Sequence, residues 1–426
     1  MNKRIVRILA LGLMVSLAAG FSAQDKKAVT LTFGTHQSGL PTSGIVQQLG
    51  LDFEKETGIK IDFQIVPDAQ WRDLLKAKIQ AGEAPDIFCA DADPLSLYER
   101  VRPDTNCVDL TSQEFVKRMD ASVLPAISYQ KKVYGITFPG AKIWVFFYNK
   151  DIFAKLGLKP PTTYAEFKAI SAKIQKANIV PVYEALQNGW HQVLPLFENG
   201  PLYQVGNPDL YAKLNANTYS IKSVPPLKTV ITQIKEFADL GYYGKDFMSN
   251  SVEGDVKALV DGKAAMVLEG IGWGSQLEAD YPAMKGKLGI FIMPWADNQI
   301  IGINPASNAY FANSKGKYQK EALQFFAFLA RHDNLAKRLA GDPGSLAICW
   351  PEIPSKYPAE YSAYIAKHKT GTVMQAAVKY IDSQWMDVGK DLEAMYSGAL
   401  TVDQVLQTIA DRRDEQAKLQ KDSAWK

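Results

Sequence analysis

Apolar and polar positions along this chain switch between two periods. A short β-rich run covers Val29 to Thr35, after which Ile45, Leu49 and Phe53 recur at helical spacing and Gly58 supplies a stop. Ile59, Ile61, Phe63 and Ile65 then alternate with polar residues, as along a half-buried strand. Trp71, Leu74, Leu75 and Ile79 mark a second helix that ends near Gly82, and Pro85-Asp86-Ile87-Phe88-Cys89-Ala90 opens a third strand. This β-α-β-α-β alternation predicts a parallel sheet with right-handed crossovers, in which a ligand sits beyond the carboxyl ends of the strands. Thr35 to Ser38 and Asp91 to Asp93 fall at those ends.

A further strand, Val133 to Pro139, leads into the apolar run Trp144 to Tyr148, and the pattern then becomes helical, so the chain is expected to cross here into a second lobe. Thr111 with Glu114, Thr163 with Glu166 and Thr401 with Gln404 each fit the capping box that satisfies free amides at a helix start. Tyr318 to Leu339 reads as one long amphipathic helix or a helix pair. The region from Thr372 onward reads as several helices, with a charged, frayed tail from Arg412.

Length adds that 426 residues suffice for two or three lobes, and 47% hydrophobic residues exclude a disordered polymer. Residues 1–23 read as a cleaved secretory signal, with Lys3, Arg4 and Arg7 before an apolar run from Ile8 to Ala19. Ala19-Gly20-Phe21 and Phe21-Ser22-Ala23 are the alternative cut sites. An uncleaved anchor is disfavoured because that run is shorter than a membrane span. Phe21 stands where a lipidated cysteine would follow Leu17-Ala18-Ala19-Gly20, so a free exported protein is expected. Removing the three leader cations from the 48 basic residues leaves 45, equal to the 45 acidic ones. A global electrostatic case for nucleic acid therefore disappears. Export makes Cys89 and Cys107 a candidate disulfide, with three buried thiols including Cys349 as the alternative.

Reacting groups for an enzyme are scarce: there is no nucleophile elbow, phosphate loop or zinc motif, and neither a metal nor a cofactor is expected. Trp273 in Gly270-Ile271-Gly272-Trp273-Gly274 would obstruct a pyrophosphate, so that glycine-rich run reads as a binding loop. Aromatics make up 11% of the chain, and Trp190, Trp273, Trp295 and Trp350 stand in loop-like contexts. A flat ring with polar neighbours suits a sugar, whose face is apolar and whose rim carries hydroxyls. Core packing competes evenly with that reading at Trp190 and Trp273 and is favoured at Trp144, Trp295 and Trp350, and most of all at Trp71 and Trp385. Covering roughly 100 Å² of sugar at about 25 cal/mol/Å² contributes about 2.5 kcal/mol per stacked face.

The ordered set of local patterns resembles the extracellular solute-binding proteins of carbohydrate ABC importers, a family that includes maltose-binding protein. The segments carrying the resemblance are "LDFEKETGIKIDF", "AKIQAGEAPDIFCADAD", "YNKDIFAKLGLKPPTTYAEF", "LVDGKAAMVLEGIGWGSQL", "KEALQFFAFLA" and "YSGALTVDQVLQ". The resemblance implies an α/β, two-lobed periplasmic-binding-protein fold. Each lobe would have a central sheet flanked by helices, and three crossings would join them. It implies lobe 1 from residues 25–139 and 300–332, and lobe 2 from 140–299 and 333–426. It also implies a monomeric, periplasmic, non-enzymatic receptor that captures a sugar or oligosaccharide by hinge closure and delivers it to ABC transporter permease subunits. Matched residue by residue, the ligand contacts are Thr35, His36, Gln37, Asp91, Trp144, Trp190, His191, Glu269, Trp273 and Asn308. The family's usual Trp in the first strand is absent, since the chain reads Leu31-Thr32-Phe33-Gly34. Two alternatives remain at this point. One is the same fold holding a polyol phosphate, polyamine or peptide, for which Lys142 is the only basic candidate near these loops. The other is a secreted glycosidase that depends on Glu269.

Overall fold

The expected βαβαβ unit forms where the spacing puts it. A computed structural model describes residues 29–36, 44–92, 97–305 and 308–425. The leader segment and Gln37 lie outside the described residues. Strands β1 (Thr30–Thr35), β2 (Lys60–Ile65) and β3 (Ile87–Asp91) run parallel, with Phe33 opposite Phe63 on one side and Ile87 on the other. The intervening helices, Ile45–Thr57 and Asp68–Ala81, stop at Gly58 and Gly82, each with φ 74°. A left-handed residue just past a helix costs least as glycine.

Apart from a two-residue ladder between Ser128–Tyr129 and Lys132–Val133, the remaining strands are β4 (Gly135–Thr137), β5 (Trp144–Asn149), β6 (Val180–Tyr183), β7 (Ala264–Gly270), β8 (Leu288–Phe291), β9 (Ile300–Ile303), β10 (Asn308–Ala312) and β11 (Lys369–Thr372). Among the described residues the first sheet has the order β2-β1-β3-β10-β4, and β10 is antiparallel to both its neighbours. The sheet is thus mixed, where the sequence pattern predicts a parallel one. β10 returns from the second lobe, so the handedness rule for consecutive parallel strands does not set its direction. The second sheet runs β8-β5-β7-β6. Its strand β5 is apolar at successive positions because both faces are covered. Phe146 packs against Phe167 and Phe291, while Phe147 packs against Trp273 and Tyr361.

Separate apolar clusters follow from the two sheets, one around Phe33, Phe88 and Phe311 and two on opposite faces of the second sheet. The chain passes three times between the sheets. The passing segments are stitched to one another: Lys142 pairs with Asn304, Pro139 pairs with Ile348, and Gly140 N–H donates to the Ala347 carbonyl at 3.1 Å.

Packing moves the expected lobe boundaries at two places. Leu335, Leu339, Trp350 and Ile353 belong to the first core, because helix His332–Gly341 lies against Ile45–Thr57, with Lys337 Nζ 3.6 Å from Asp52. The return to the second lobe therefore follows Ile353 and not residue 332. Ile301 belongs to a second-lobe core because β9 pairs with β11.

Two of the three capping boxes form, at Thr163 and Thr401. Thr111 does not cap: its hydroxyl lies 2.6 Å from Asp109 and accepts the Val133 N–H at 3.0 Å. Tyr318 to Leu339 resolves into a helix pair, Gln319–Leu329 and His332–Gly341. The frayed tail is also corrected, since helix Val402–Leu419 continues past Arg412. Arg413 is buried and donates to the Leu214 carbonyl, and Trp425 Nε1 donates to Asp414 at 2.8 Å. No helix among the described residues is long and apolar enough to cross a membrane.

Cys89, Cys107 and Cys349 are free and buried, so the candidate Cys89–Cys107 disulfide does not form. Cys89 stands opposite Tyr310 and Cys107 opposite Asn313. Three residues of strand separate these positions by about 10 Å, beyond the about 7 Å that a disulfide tolerates between Cα atoms. Thiol titration is expected to find three reactive groups in guanidinium and essentially none in the native protein; a native mass 2 Da below the reduced mass would overturn the assignment.

Candidate functional site

The carboxyl end of β7 and the crossing segments enclose a cavity of about 340 Å³, whose walls include Lys142, Trp144, Glu269, Trp273, Arg338 and Tyr357. Trp144 begins β5 directly opposite Gly270, which ends β7. Gly270 leaves open space on its Cβ side, whereas a Cβ on Gly272 would lie 1.7 Å from the Gly344 carbonyl oxygen. Gly272 is therefore fixed by the close approach of the segment that closes the cavity. Trp273 starts helix Trp273–Asp280 with its ring centroid 5.1 Å from that of Phe147. The Trp144 ring lies 5.9 Å from that of Trp190, whose carbonyl accepts the Trp385 indole N–H at 2.9 Å. Trp144, Trp190 and Trp273 are all half-buried, so each keeps part of its indole available. Trp295 and Trp350 are core residues.

His191 faces away from solvent, at 1% exposure. Its Nδ1 is 2.6 Å from Glu184 Oε1 and its Nε2 is 2.8 Å from the Leu268 carbonyl. Both nitrogens meet acceptors, so the ring carries two protons. Burial opposes that charge, but the carboxylates of Glu184 and Glu269 outweigh it and carry the pKa up to about 9. Glu269 Oε1 lies 3.9 Å from the same ring, and Glu269 Oε2 accepts the Gly270 N–H at 3.1 Å. Behind it, burial and the Glu269 charge push Asp255 up to about 8. Glu269 Oε1 and Asp255 Oδ2 each lack a donor, and the two side chains are hydrogen-bonding neighbours. One proton shared between the two carboxyls satisfies both oxygens. His191 thus acts on the cavity through Glu269, while Glu269 itself forms part of the wall.

The first-lobe candidates gather at the carboxyl ends of β1 and β3. Thr35 is buried, and its carbonyl accepts the Val66 N–H. The His36 ring stacks on Trp71 with centroids 6.5 Å apart. Asn308 stands opposite Asp91 in the sheet, and its carbonyl accepts the Thr137 hydroxyl. Asp91 is engaged by Arg72 at 2.8 Å and Arg100 at 3.8 Å. Burial alone would raise its pKa, but Arg72, Arg100 and His36 hold it well below the usual carboxylate range.

Sequence reasoning missed Arg338, Asp255 and Glu184. Arg338 is 7% exposed, stacks over the Phe138 ring at 4.5 Å and donates to the Tyr310 hydroxyl at 3.2 Å. Its signal is helical phase, because it follows Leu335 by three positions on the apolar face. Lys142 is therefore accompanied by a second cation in the cavity wall. Asp255 and Glu184 carry no comparable signal, since only the tertiary fold brings them to Glu269. No cluster of His, Cys, Asp and Glu among the described residues is arranged to hold a metal ion.

The buried imidazolium has a signed pH consequence. Above about pH 6.5 the unfolded chain loses the His191 proton while the folded chain keeps it, so this stabilisation is lost as pH rises through about 9. Asp255 acts in the same direction as pH rises from 3.8 toward about 8. The melting temperature is expected to fall between pH 6.5 and 9, and His191→Gln should lower it more at pH 6 than at pH 9. Parallel wild-type and variant profiles would exclude the charged ring.

Comparison with known proteins places this geometry. Residues 38–336 match the family described as bacterial extracellular solute-binding protein. The multiple sugar-binding protein of Streptococcus mutans is 23% identical over 337 residues, spanning 78% of this chain and 77% of that one. The melibiose/raffinose/stachyose-binding protein MelE of Bacillus subtilis is 23% identical over 349 residues, 78% of each chain. Among solved structures, a Bacillus licheniformis sugar transporter protein in complex with stachyose superposes with a TM-score of 0.72 at 20% identity, covering 90% of this chain and 99% of that one. The family match and the shared two-lobed α/β fold agree, and the chain belongs to the bacterial extracellular solute-binding protein family.

Proposed function

We propose that this protein is the capture receptor of an ABC importer for a sugar or oligosaccharide. It closes on the solute by a hinge at the three crossing segments and hands it, chemically unchanged, to membrane permease subunits. The observation that carries this reading is the grouping of half-buried indoles, Trp144 with Trp190 and Trp144 with Trp273, beside the crossings. Stacked indoles supply apolar faces, and Glu269, Lys142 and Asn308 supply polar groups for hydroxyls. The sugar-binding names of the Streptococcus and Bacillus relatives support the same solute class. A ligand that touches both lobes stabilises their closed arrangement by the contacts it gains there, and that shape is what a permease reads.

Thr35, which is buried, and His191, which is enclosed, support contacts made by their neighbours in this reading. Arg338 beside Lys142 adds a cation that would suit an anionic solute, but it already stacks over Phe138 and donates to Tyr310, and the names of the relatives point to sugars. A glycosidase needs a carboxyl free to move a proton at the glycosidic oxygen, whereas Glu269 is buried, lies 3.9 Å from the charged His191 ring and accepts the Gly270 N–H. In this reading the receptor is a monomer that loses residues 1–23 on export, and the family's extracellular description supports its location outside the cytoplasm.

Titration with mono- and oligosaccharides, raffinose and stachyose among them, should change the intrinsic tryptophan fluorescence and saturate in the micromolar range. Trp273→Ala should weaken the best ligand roughly 50-fold, the equivalent of about 2.5 kcal/mol of lost stacking. Absence of any spectral or calorimetric response across the panel would sink the sugar assignment.

A further inference from the structure

Arg100 lies between two carboxylates that belong to different lobes. It sits on helix Leu97–Val101, whose Leu97 and Val101 are part of the first core. Its Nη1 is 3.8 Å from Asp91 Oδ2, at the end of β3, and its Nη2 donates to Asp382 Oδ2. Asp382 opens the turn Asp382–Gln384 and follows Ile381, a residue of the second core. Arg72 Nε donates to the same Asp91 oxygen at 2.8 Å and so braces Asp91 from the other side. Among the described residues, Arg100–Asp382 is the one ion pair that joins the packed elements of the first core to those of the second. The side chains of Arg100, Asp382 and Asp91 are 21%, 20% and 25% exposed, so the chain of charges is partly shielded from water yet within reach of salt.

We propose that Arg100 is an interlobe clasp: oriented by Asp91, it holds Asp382 across the cleft and biases the protein toward the closed form before any solute arrives. Asp91 then serves as a positioning residue for Arg100, and both of its close cationic partners are protein side chains. The clasp rests on the hinge closure in the reading above but not on the identity of the solute. Its physical consequence is a ligand-independent closed fraction that falls with ionic strength, because the pair is made when the lobes meet and lost when they part. A larger closed fraction raises apparent affinity in proportion and removes part of the cost of selecting the binding-competent state.

Small-angle X-ray scattering on the full mature chain with no added solute tests this without any sugar. The wild-type radius of gyration should rise between 10 mM and 1 M sodium chloride, over which the Debye length drops from about 30 Å to about 3 Å. Arg100→Gln and Asp382→Asn, one in each lobe, should each be expanded at low salt and insensitive to added salt. The double variant should be no more expanded than either single one. Superimposable wild-type and variant profiles at low salt would overturn the clasp. So would expansion in Arg100→Gln without expansion in Asp382→Asn, because that result would trace the effect to an unbalanced Asp91. Asp382→Asn is nearly isosteric, so it decides the question if Arg100→Gln does not fold. A sugar titration that fails while these profiles separate would refute the solute assignment and leave the clasp standing.

Discussion

Backbone pairing between the crossing segments is the constraint on which the rest of the molecule depends. Single bridges of Lys142 with Asn304 and Pro139 with Ile348 tie three crossing segments side by side between two separate sheets. Each sheet buries its own apolar face, so neither core needs the other to exclude water. A connection that is stiff across its width and short along its length leaves rotation about the crossings as the soft motion. Residues that project from the crossings or their flanks, Lys142, Trp144 and Glu269 among them, sit where that rotation changes distances least, while Arg100 and Asp382 sit where two lobes meet.

The polar cluster behind the cavity has a different logic. Glu184, His191, Glu269 and Asp255 are all buried, and four ionisable groups without mutual neutralisation would be costly there. The arrangement resolves into a charged ring between carboxylates and a carboxyl pair sharing a proton, which leaves one Glu269 oxygen fixed by the Gly270 amide. A wall carboxylate held this way cannot change rotamer freely. It presents the same face to every solute that enters, which is the preorganisation that lowers binding cost.

Much of the fold was legible because periodicity reports burial directly. The alternation through Ile59 to Ile65, the helix stops at Gly58 and Gly82 and the helix pair around Phe326 and Leu335 are local facts. The reversed direction of β10, the docking of the charged C-terminal helix through Arg413 and the free state of Cys89 and Cys107 are tertiary facts, and no local pattern encodes them. The site divides the same way. Trp144, Glu269 and Trp273 were readable from the β7 segment and the first crossing, and Trp144 and Trp273 do line one cavity. His191 packs edge-on against the indole beside it in sequence, but its ring nitrogens are taken by Glu184, just past β6, and by the Leu268 carbonyl. Arg338 was hidden by its charge, which masked its place on an apolar helical face.

The three free cysteines carry a consequence for biogenesis. Their sulfurs are sealed inside the first lobe, and burial pushes the Cys349 thiol up to about 12, far from the reactive thiolate. In an oxidising compartment that protection exists only once the lobe has condensed. Export in an unfolded state would open a race in which the nascent first lobe must bury its sulfur atoms before an oxidase joins two of them wrongly. Local assembly of β1 to β3 would shelter only Cys89; Cys107 and Cys349 stay open until β10 and the segment around Trp350 have docked.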